Sequence, residues 1–223
     1  IKADRTTAVC FNGYFRIFLR KIRCSMEYYV IFVMAGCWCN ATESKPQNVV
    51  RKLKNILHKM KIRKGNINDL TSVKHLGQNT WKQFKEELTN ENWNKLSKSL
   101  SNENLYKDLL ENSISFVCEN ETGEIIGMSF LVASGNPTEI YNSEQCYIRF
   151  VTVSEKYKGL NLGQKLTEEC IEFAKNSGEK KIALHTSEFM DKARYIYGKL
   201  GFKIIKEIEP RYGKKYWLYE MSL

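Results

Sequence analysis

The chain has 223 residues, of which 43% are hydrophobic and 27% are charged, as in an ordinary globular protein with room for one large domain or one medium domain and an appendage. No segment approaches the roughly eighteen uninterrupted apolar residues of a membrane-spanning helix, and 13 glycines with 3 prolines do not make a collagen-like chain. An integral transporter and a fibrous protein are therefore excluded.

The formal net charge of +10 is concentrated at the N-terminal end. Residues 1–59 contain 11 Lys and Arg against 3 Asp and Glu, whereas residues 60–223 contain 24 against 22. We interpret residues 1–59 as a basic, cysteine-containing extension that is poorly ordered or not part of the native domain. Residues 60–223 are then the folded domain, and their nearly balanced charge gives no indication of nucleic-acid binding.

The extension contains two short patterns that could carry a function. Met34-Ala35-Gly36-Cys37 loosely resembles a lipoprotein cleavage box, but the apolar run before it is short even for a signal peptide, so we expect a cytoplasmic protein. Cys37 and Cys39 lack a second ligand pair at zinc-finger spacing, and no metal site is predicted. A nucleic-acid-binding tail remains as a rival function that depends only on the charge of this segment.

The first half of the domain is predicted to contain helices and an antiparallel hairpin. A strand is expected at Lys61–Lys64, and Asn68-Asp69 can cap a helix that carries Leu70, Val73 and Leu76 on one face. Further helices are expected over Trp81–Leu88 and Asn102–Leu110. The strands of the hairpin are expected at Ser113–Cys118 and Glu124–Val132, with a turn at residues 119–123.

The second half alternates between strands and helices. Strands are predicted at Gln145–Val153, Lys180–Leu184, Phe202–Ile208 and Tyr216–Met221. A helix from Leu162 to about Lys175 places Leu166, Cys170, Phe173 and Ala174 on one buried stripe, and a second helix runs from about Met190 to a C-terminal Gly201. This order predicts an α/β fold with a central mixed sheet flanked by helices.

The segment between the strand Gln145–Val153 and the helix at Leu162 has the features of an anion-binding loop. Backbone N–H groups in the first turn of a helix lack internal partners, and glycines such as Gly159 and Gly163 let an anion approach the backbone. A P-loop is excluded because only three residues separate these glycines and Gln164 follows, and a dinucleotide-binding fingerprint would need a third glycine. We therefore predict a phosphate site of another kind.

This loop resembles the pyrophosphate loop of the GNAT superfamily of acetyl-CoA-dependent N-acetyltransferases. Lys158 stands where that family usually has Arg or Gln, and Asn161 stands where its middle glycine is usual. Asn tolerates a left-handed backbone better than most residues, so the second departure is mild. A second match lies thirty residues beyond the loop, where residues 193–202 are similar to the family's Ala-x-x-Phe/Leu-Tyr-x-x-Leu-Gly-Phe ending.

The resemblance implies a central sheet that splays apart between the strands Gln145–Val153 and Lys180–Leu184 to form a wedge for coenzyme A. It implies that the pantetheine arm pairs with Val151, Thr152 and Val153. The N–H groups that would hold the pyrophosphate belong to Lys158, Gly159, Leu160, Asn161, Leu162, Gly163 and Gln164. Acetyl-CoA is then the acyl donor, no metal takes part, and Tyr197 gives a proton to the leaving thiolate.

Several roles stay open at this stage. Tyr197 could be only a core aromatic, and His185 or Glu144 could be the general base or merely structural and surface residues. Trp81, Phe84 and Trp93 could line the acceptor pocket or fill the core. The acceptor is expected to be a primary amine of unknown identity, with no nucleic-acid partner, no integral membrane association and a homodimer left open. The rival functions are a non-catalytic acyl-CoA-binding module and a transferase of longer acyl groups.

Overall fold

A computed structural model describes residues 59–223, which contain seven strands and five α-helices. The strands are β1 (Lys61–Lys64), β2 (Ile114–Glu119), β3 (Ile125–Val132), β4 (Cys146–Val153), β5 (Lys181–Ser187), β6 (Lys203–Arg211) and β7 (Lys214–Ser222). The helices are α1 (Leu70–Trp81), α2 (Asn90–Ser101), α3 (Glu103–Asn112), α4 (Leu162–Asn176) and α5 (Asp191–Leu200). Short 3-10 turns lie at Ile67–Asp69, Lys82–Glu87 and Glu155–Tyr157.

The strands form one sheet in the order β1-β2-β3-β4-β5-β7-β6. Neighbouring strands are antiparallel except for β4 and β5, which run parallel. The crossover between these two strands is α4, as a parallel pair requires. The predicted α/β fold with a mixed central sheet is confirmed.

The predicted hairpin between β2 and β3 is confirmed, and Asn120 holds its turn. The side-chain oxygen of Asn120 accepts hydrogen bonds from the N–H groups of Thr122 and Glu124, both at 3.0 Å. Gly123 takes φ = 80°, a left-handed backbone that glycine adopts without strain. The turn expected at residues 119–123 is therefore confirmed, and an Asn side chain and a glycine form it.

Two apolar clusters join the helices to the sheet. The α1/α3 core contains Val73, Leu76, Tyr106, Leu109, Met128 and Phe130. The α4/α5 core contains Leu166, Cys170, Ala174, Leu184, Tyr197 and Tyr219. The stripe predicted on α4 is confirmed for Leu166, Cys170 and Ala174, which are all 0% exposed, while Phe173 is partly buried against the same core.

The expectation that Asn68-Asp69 would cap α1 needs a correction. Asn66 caps the preceding 3-10 turn: its side chain accepts the N–H of Asn68 at 2.9 Å, and the Asp69 carboxylate accepts the N–H of Asn66 at 2.9 Å. This reciprocal arrangement is a capping box. Arg63 completes it by donating two hydrogen bonds to the Asp69 carboxylate, each at 2.8 Å.

The region between α1 and α3 also differs from its prediction. The helix expected over Trp81–Leu88 is a 3-10 turn at Lys82–Glu87, and α2 was not predicted. Only Leu96 and Leu100 are buried on α2, and most of its other residues are Asn, Ser, Lys and Glu. Asn and Ser compete with helical hydrogen bonds through their own side chains, so this segment has a weak helical signal.

The C-terminal hairpin is longer on both sides than predicted, because β6 continues to Arg211 and β7 begins at Lys214. Tyr212 and Gly213 form its two-residue turn, with φ of 54° and 71°. Positive φ at both central residues matches the right-handed twist of the flanking strands. Among residues 59–223, no helix is both long enough and apolar enough to cross a bilayer. The predictions made for residues 1–58 lie outside the described part of the chain.

Candidate functional site

A cleft opens between β4 and β5 because the two strands pair over only two residues. The register joins Cys146 to Ile182 and Tyr147 to Ala183 and goes no further, although β4 continues to Val153 and β5 to Ser187. Beyond this short seam, the one strand among residues 59–223 that pairs with β4 is β3. The predicted splay of the sheet is therefore confirmed, and the β5-facing edge of β4 is open from Ile148 onward.

A β-bulge in β4 lies beside this opening. The register with β3 passes from Phe130 opposite Arg149 to Met128 opposite Thr152, so Phe150 and Val151 together face Ser129. Phe150 has φ = 53°, an uncommon backbone conformation for a bulky residue. Its ring is held by the rings of Tyr106 and Phe130, with centroids at 5.8 Å and 6.4 Å. Sequence reasoning missed this bulge, since no residue of β4 is a glycine or proline that would indicate it.

The last three residues of β4 before the loop are Val151, Thr152 and Val153, the residues predicted to pair with the pantetheine arm. Val151 and Val153 are partly buried against the α4/α5 core, which also contains Tyr197. Thr152 is 3% exposed, and its hydroxyl has no hydrogen-bond partner within residues 59–223. The structure thus brings the predicted strand and the predicted acid to one side of the sheet.

The loop after β4 carries a row of unpaired backbone donors. Lys158 N–H donates to the Glu155 carbonyl at 3.2 Å, and Lys165 N–H donates to the Asn161 carbonyl at 3.0 Å. Between them, none of the six N–H groups from Gly159 to Gln164 has an acceptor within the described residues. Such groups at a helix start, together with the helix dipole, favour an anion.

The conformation of the loop explains why these donors are unpaired. Gly159 and Asn161 take left-handed φ values of 84° and 57°, so the expectation that Asn161 can replace a glycine is confirmed. Leu162 is 2% exposed and packs with Leu160 against Ile126 and its neighbours. The two leucines hold the loop against the sheet. The left-handed backbone of Gly159 and Asn161 is not helical, so the helix begins only at Leu162.

Gly163 connects the loop to the open strand. A Cβ atom added at Gly163 would lie 3.8 Å from Val153 Cγ2 and 3.9 Å from Val151 Cγ1, which is ordinary van der Waals contact. The predicted pyrophosphate and pantetheine segments are therefore adjacent. Gln164 directs its side chain away from this row, because its amide donates to Glu168 at 2.7 Å.

Lys158 already has partners in the structure. Its ammonium group donates to Glu155 at 2.5 Å and to the side-chain oxygen of Gln83 at 2.6 Å. Its side chain is 40% exposed, so this ion pair is weak. The pairing with Gln83, 75 residues earlier in the chain, ties the loop to the 3-10 turn after α1.

Tyr197 lies on α5 and is 7% exposed in the α4/α5 core. Its ring packs edge-on against Phe202 and Tyr219, with centroids at 5.9 Å and 6.3 Å. Burial raises the pKa of the Tyr197 hydroxyl well above its ordinary value. The hydroxyl is therefore protonated throughout the neutral range and is able to donate a proton.

His185, one candidate base, forms a hydrogen bond with a tyrosine on the other face of the sheet. Its Nδ1 atom lies 2.6 Å from the Tyr141 hydroxyl. Burial lowers the pKa of His185 to about 4, and the charges of Arg211 and Arg149 add to this effect. His185 is therefore neutral at pH 7. Glu144, the other candidate, is exposed and lies before the start of β4.

The aromatic residues considered for an acceptor pocket do form one cluster. Trp81 and Trp93 pack around Leu88, Leu96 and Leu100, and the Phe84 ring packs edge-on against Trp81 with centroids 5.6 Å apart. Phe150 and Tyr212 join the same cluster. The cluster thus links α2, the bulge of β4 and the turn between β6 and β7. Residues 59–223 contain no group of three or more His, Cys, Asp or Glu side chains placed to hold a metal ion.

The comparisons with known proteins agree with this geometry. Residues 78–202 match the model of a family described as Acetyltransferase (GNAT) family. Among solved structures, PaiA N-acetyltransferase from Thermoplasma acidophilum in complex with coenzyme A has a TM-score of 0.60 at 15% identity, covering 74% of this chain and 99% of that chain.

Two further structures show a similar fold. Arabidopsis thaliana NAA60 in complex with a bisubstrate analogue has a TM-score of 0.57 at 14% identity, covering 73% of this chain and 97% of that chain. An acetyltransferase of the GNAT family from Listeria monocytogenes has a TM-score of 0.58 at 16% identity, covering 74% and 95%. At these identities the similarity establishes the fold. A search of curated proteins finds no match.

Proposed function

The chain belongs to the GNAT family of acetyltransferases, and on that premise we propose that it moves an acetyl group from acetyl-CoA to a primary amine. The observation that carries the proposal is the row of six unpaired N–H groups from Gly159 to Gln164 at the end of the open strand β4. Unpaired donors and an open strand edge next to each other suit a ligand with a pyrophosphate at one end and an amide-containing arm behind it.

In this proposal the donor binds along Val151 to Val153 and across the loop. The amides of the pantetheine arm pair with the open edge of β4, as an added strand would. The pyrophosphate accepts hydrogen bonds from Gly159 to Gln164, and Lys158 exchanges part of its contact with Glu155 for a contact with a phosphate. Gly163 places no long side chain beside this row of donors, and the side chains nearest to a Cβ built there are those of Val153 and Val151, at 3.8 Å and 3.9 Å.

The proposed reaction is a direct attack. The acceptor nitrogen forms a bond to the thioester carbonyl carbon, the carbon–sulfur bond breaks, and the sulfur leaves as a thiolate. Tyr197 gives its hydroxyl proton to that thiolate, and the proton released by the acceptor nitrogen passes to solvent and restores the tyrosine. A proton donor must be protonated before the reaction, and the Tyr197 hydroxyl meets this requirement at neutral pH because burial raises its pKa further above that range.

Tyr197→Phe tests the enzymatic part of the proposal. The substitution removes one hydroxyl and keeps the ring that packs on Phe202 and Tyr219. We expect kcat to fall by about tenfold to a thousandfold, near the lower end because a thiol is a fair leaving group, with little change in the KM for acetyl-CoA. Single-turnover measurement of thiol release with a panel of amines gives the rate of the chemical step.

Tyr106→Phe is the matched control, because Tyr106 is a buried tyrosine of the α1/α3 core whose hydroxyl has no partner within the described residues. It should keep full activity. An unchanged chemical step in Tyr197→Phe would reduce that tyrosine to a packing residue. Acetyl-CoA binding without thiol release for any amine would instead favour a non-catalytic binding module, and faster release from longer acyl-CoA donors would favour a different acyl group.

The proposed setting is the cytoplasm. The three cysteines of the described part, Cys118, Cys146 and Cys170, are all buried free thiols. Burial raises the pKa of all three thiols, with Cys146 and Cys170 reaching about 12, so none is a reactive thiolate at neutral pH. Free, unreactive thiols suit a reducing compartment.

A further inference from the structure

Arg149 is a guanidinium without a carboxylate partner beside the mouth of the cleft. It lies on β4 directly before the bulge and is half-buried. Within residues 59–223 no carboxylate forms an ion pair with it, and its described contact is with the face of the Phe150 ring, 5.5 Å from the centroid. Removing a guanidinium from water without a counter-ion costs free energy, so this placement needs a reason.

The register places Arg149 and His185 on opposite walls of the cleft. Tyr147 and Ala183 form the last pair of the seam, and Arg149 and His185 each follow two residues later along their strands. Side chains two apart on a strand leave the same face of the sheet. Both residues therefore face the α1/α3 side, which agrees with their partners Phe130 and Leu218 in that core.

Aromatic and polar groups surround this position. Tyr141 and Tyr147 are stacked with ring centroids 4.0 Å apart, and the Tyr141 hydroxyl is bonded to His185 Nδ1 at 2.6 Å. The Tyr147 hydroxyl has no hydrogen-bond partner within the described residues, although Tyr147 is only 5% exposed. Arg149 and Tyr147, two residues apart on one face, thus supply adjacent donors without acceptors.

Arg149 is the positively charged group at this position that has no ion-pair partner among residues 59–223. His185 is neutral at pH 7, and burial raises the pKa of Tyr141 and Tyr147, so both stay uncharged. Arg211 forms an ion pair with Glu139 at 2.7 Å. Asp108 acts on Tyr147 as a negative charge; it accepts a hydrogen bond from the neutral amide of Asn112 at 2.8 Å and forms no ion pair with Arg149.

We propose that Arg149, assisted by the Tyr147 hydroxyl, binds a carboxylate on the acceptor, so that the substrates are primary amines that also carry a carboxylate. This rests on the proposed function and narrows its acceptor class. The planar fork of a guanidinium matches a carboxylate, and one guanidinium without an ion-pair partner suits a monoanion better than a dianionic phosphate. The same charge disfavours an ammonium group, which helps the amine to bind in its neutral, nucleophilic form.

The test uses matched probes on the protein saturated with coenzyme A. The probes are ω-amino acids of three to six carbons and their primary amides, which differ only in the anionic group. Nuclear magnetic resonance follows the Nε–Hε signal of Arg149, identified by its loss in Arg149→Met. We expect the carboxylates to shift this signal and the amides to leave it in place. An unmoved signal with every carboxylate, or equal shifts with the amides, overturns the proposal.

Thiol release from acetyl-CoA with the same probes separates this proposal from the proposed function. We expect carboxylates to exceed their amides in kcat/KM by about tenfold or more, as for a charge-assisted contact. Arg149→Met should abolish that preference and Arg149→Lys should restore part of it. The control Arg194→Met removes an arginine that also lies over an aromatic ring, Trp217 at 4.7 Å, and should leave the preference unchanged.

The outcomes are distinct. Equal thiol release from carboxylates and amides leaves the acetyltransferase proposal intact and overturns the role of Arg149. A carboxylate-specific shift of the Arg149 signal without thiol release from any probe confirms the anion site and counts against the acetyltransferase activity.

Discussion

The 3-10 turn that leads into α1 and the start of α4 meet the same physical problem in opposite ways. Before α1, the side chains of Asn66 and Asp69 accept hydrogen bonds from the N–H groups of Asn68 and Asn66. Before α4, Asn161 makes no side-chain capping bond, and the N–H groups from Gly159 to Gln164 have no acceptor in the described part of the chain. A helix start that the chain caps for itself is structural, whereas one left unpaired in the same protein is available to a ligand.

The two sites also differ in charge. Asp69 brings a carboxylate to the start of α1, and Arg63 holds it with two hydrogen bonds. The first turn of α4 contains no acidic residue. The positive end of the α4 dipole is therefore not compensated by the protein, and a phosphate supplied from outside would play the part that Asp69 plays at α1.

Asp69→Ala should give the largest effect and should act only on stability. It removes the acceptor of the capping box and leaves Arg63 with Glu119 alone, in a pair whose Asp69 side chain is 9% exposed. We expect a loss of about 2 to 4 kcal/mol in the free energy of unfolding in urea, with unchanged acetyl-CoA affinity. Loss of coenzyme binding in the folded variant would contradict the division between the two helix starts.

The stability that Asp69 contributes should depend on pH. The hydrogen bonds from Arg63, followed by the N–H of Asn66, lower the pKa of the Asp69 carboxyl below its ordinary value. A lowered pKa in the folded state stabilises the protein above the unfolded pKa of about 3.9 and loses its effect as the pH falls through the folded value. Urea unfolding from pH 6 to pH 3 should therefore show a steeper loss for the native chain than for Asp69→Asn.

Gly163→Glu should give the next largest effect and should act on binding. Its carboxylate would project from the first turn of α4 beside Val151 and Val153, where the pyrophosphate is expected. We expect acetyl-CoA affinity, measured by calorimetry, to fall by about fiftyfold or more, which is about 2.3 kcal/mol. Unchanged affinity in a folded Gly163→Glu protein would remove the loop from the proposed site.

Two variants at the same position separate the causes of that loss. Gly163→Ala adds a Cβ at ordinary contact distance and should bind nearly as well as the native chain, because helical Ala is well tolerated. Gly163→Gln adds the bulk of the glutamate without its charge and should lie between the two. A loss as large in Gly163→Gln as in Gly163→Glu would assign the effect to size alone.

Lys158→Ala should give the smallest effect. The ammonium group is shared with Glu155 and Gln83 and is partly exposed, so its net contribution to phosphate binding is reduced by competition and by solvent. We expect acetyl-CoA affinity to fall by about threefold to tenfold and to depend less on salt than in the native chain. Lys156→Ala, an exposed lysine of the same turn, is the control and should change neither quantity.

Much of the proposed coenzyme site could be predicted from local sequence. The dense β-branched pattern of β4, the glycines of the loop and the apolar stripe of α4 each act over a few residues, and the structure confirms them. Asn161 could be recognised as a substitute for glycine because the left-handed conformation depends on the residue itself. Gly201 ends α5 with φ = 100° for the same reason.

The missed features depend on contacts between distant residues. The capping box of the 3-10 turn before α1 is held by Arg63, which also bonds to Glu119, 56 residues away. The bulge at Phe150 is fixed by the packing of Tyr106 and Phe130, and α2 is held by burial of Leu96 and Leu100 rather than by helical propensity. The lack of an ion-pair partner for Arg149 among residues 59–223 could not be predicted, because the sequence does not show which carboxylates lie near it.

The short seam between β4 and β5 is also the place where the sheet is held together by the fewest backbone pairs. On one side β5 is joined to β7 through seven register pairs, and on the other side it is joined to β4 through two. The β4–β5 pair has fewer register pairs than any other strand pair of the sheet. We therefore expect transient opening of the sheet to begin there, with β5, β7 and β6 on one side. A molecule bound in the cleft would contact both parts of the sheet. Its binding would therefore stabilise the sheet against opening at this seam.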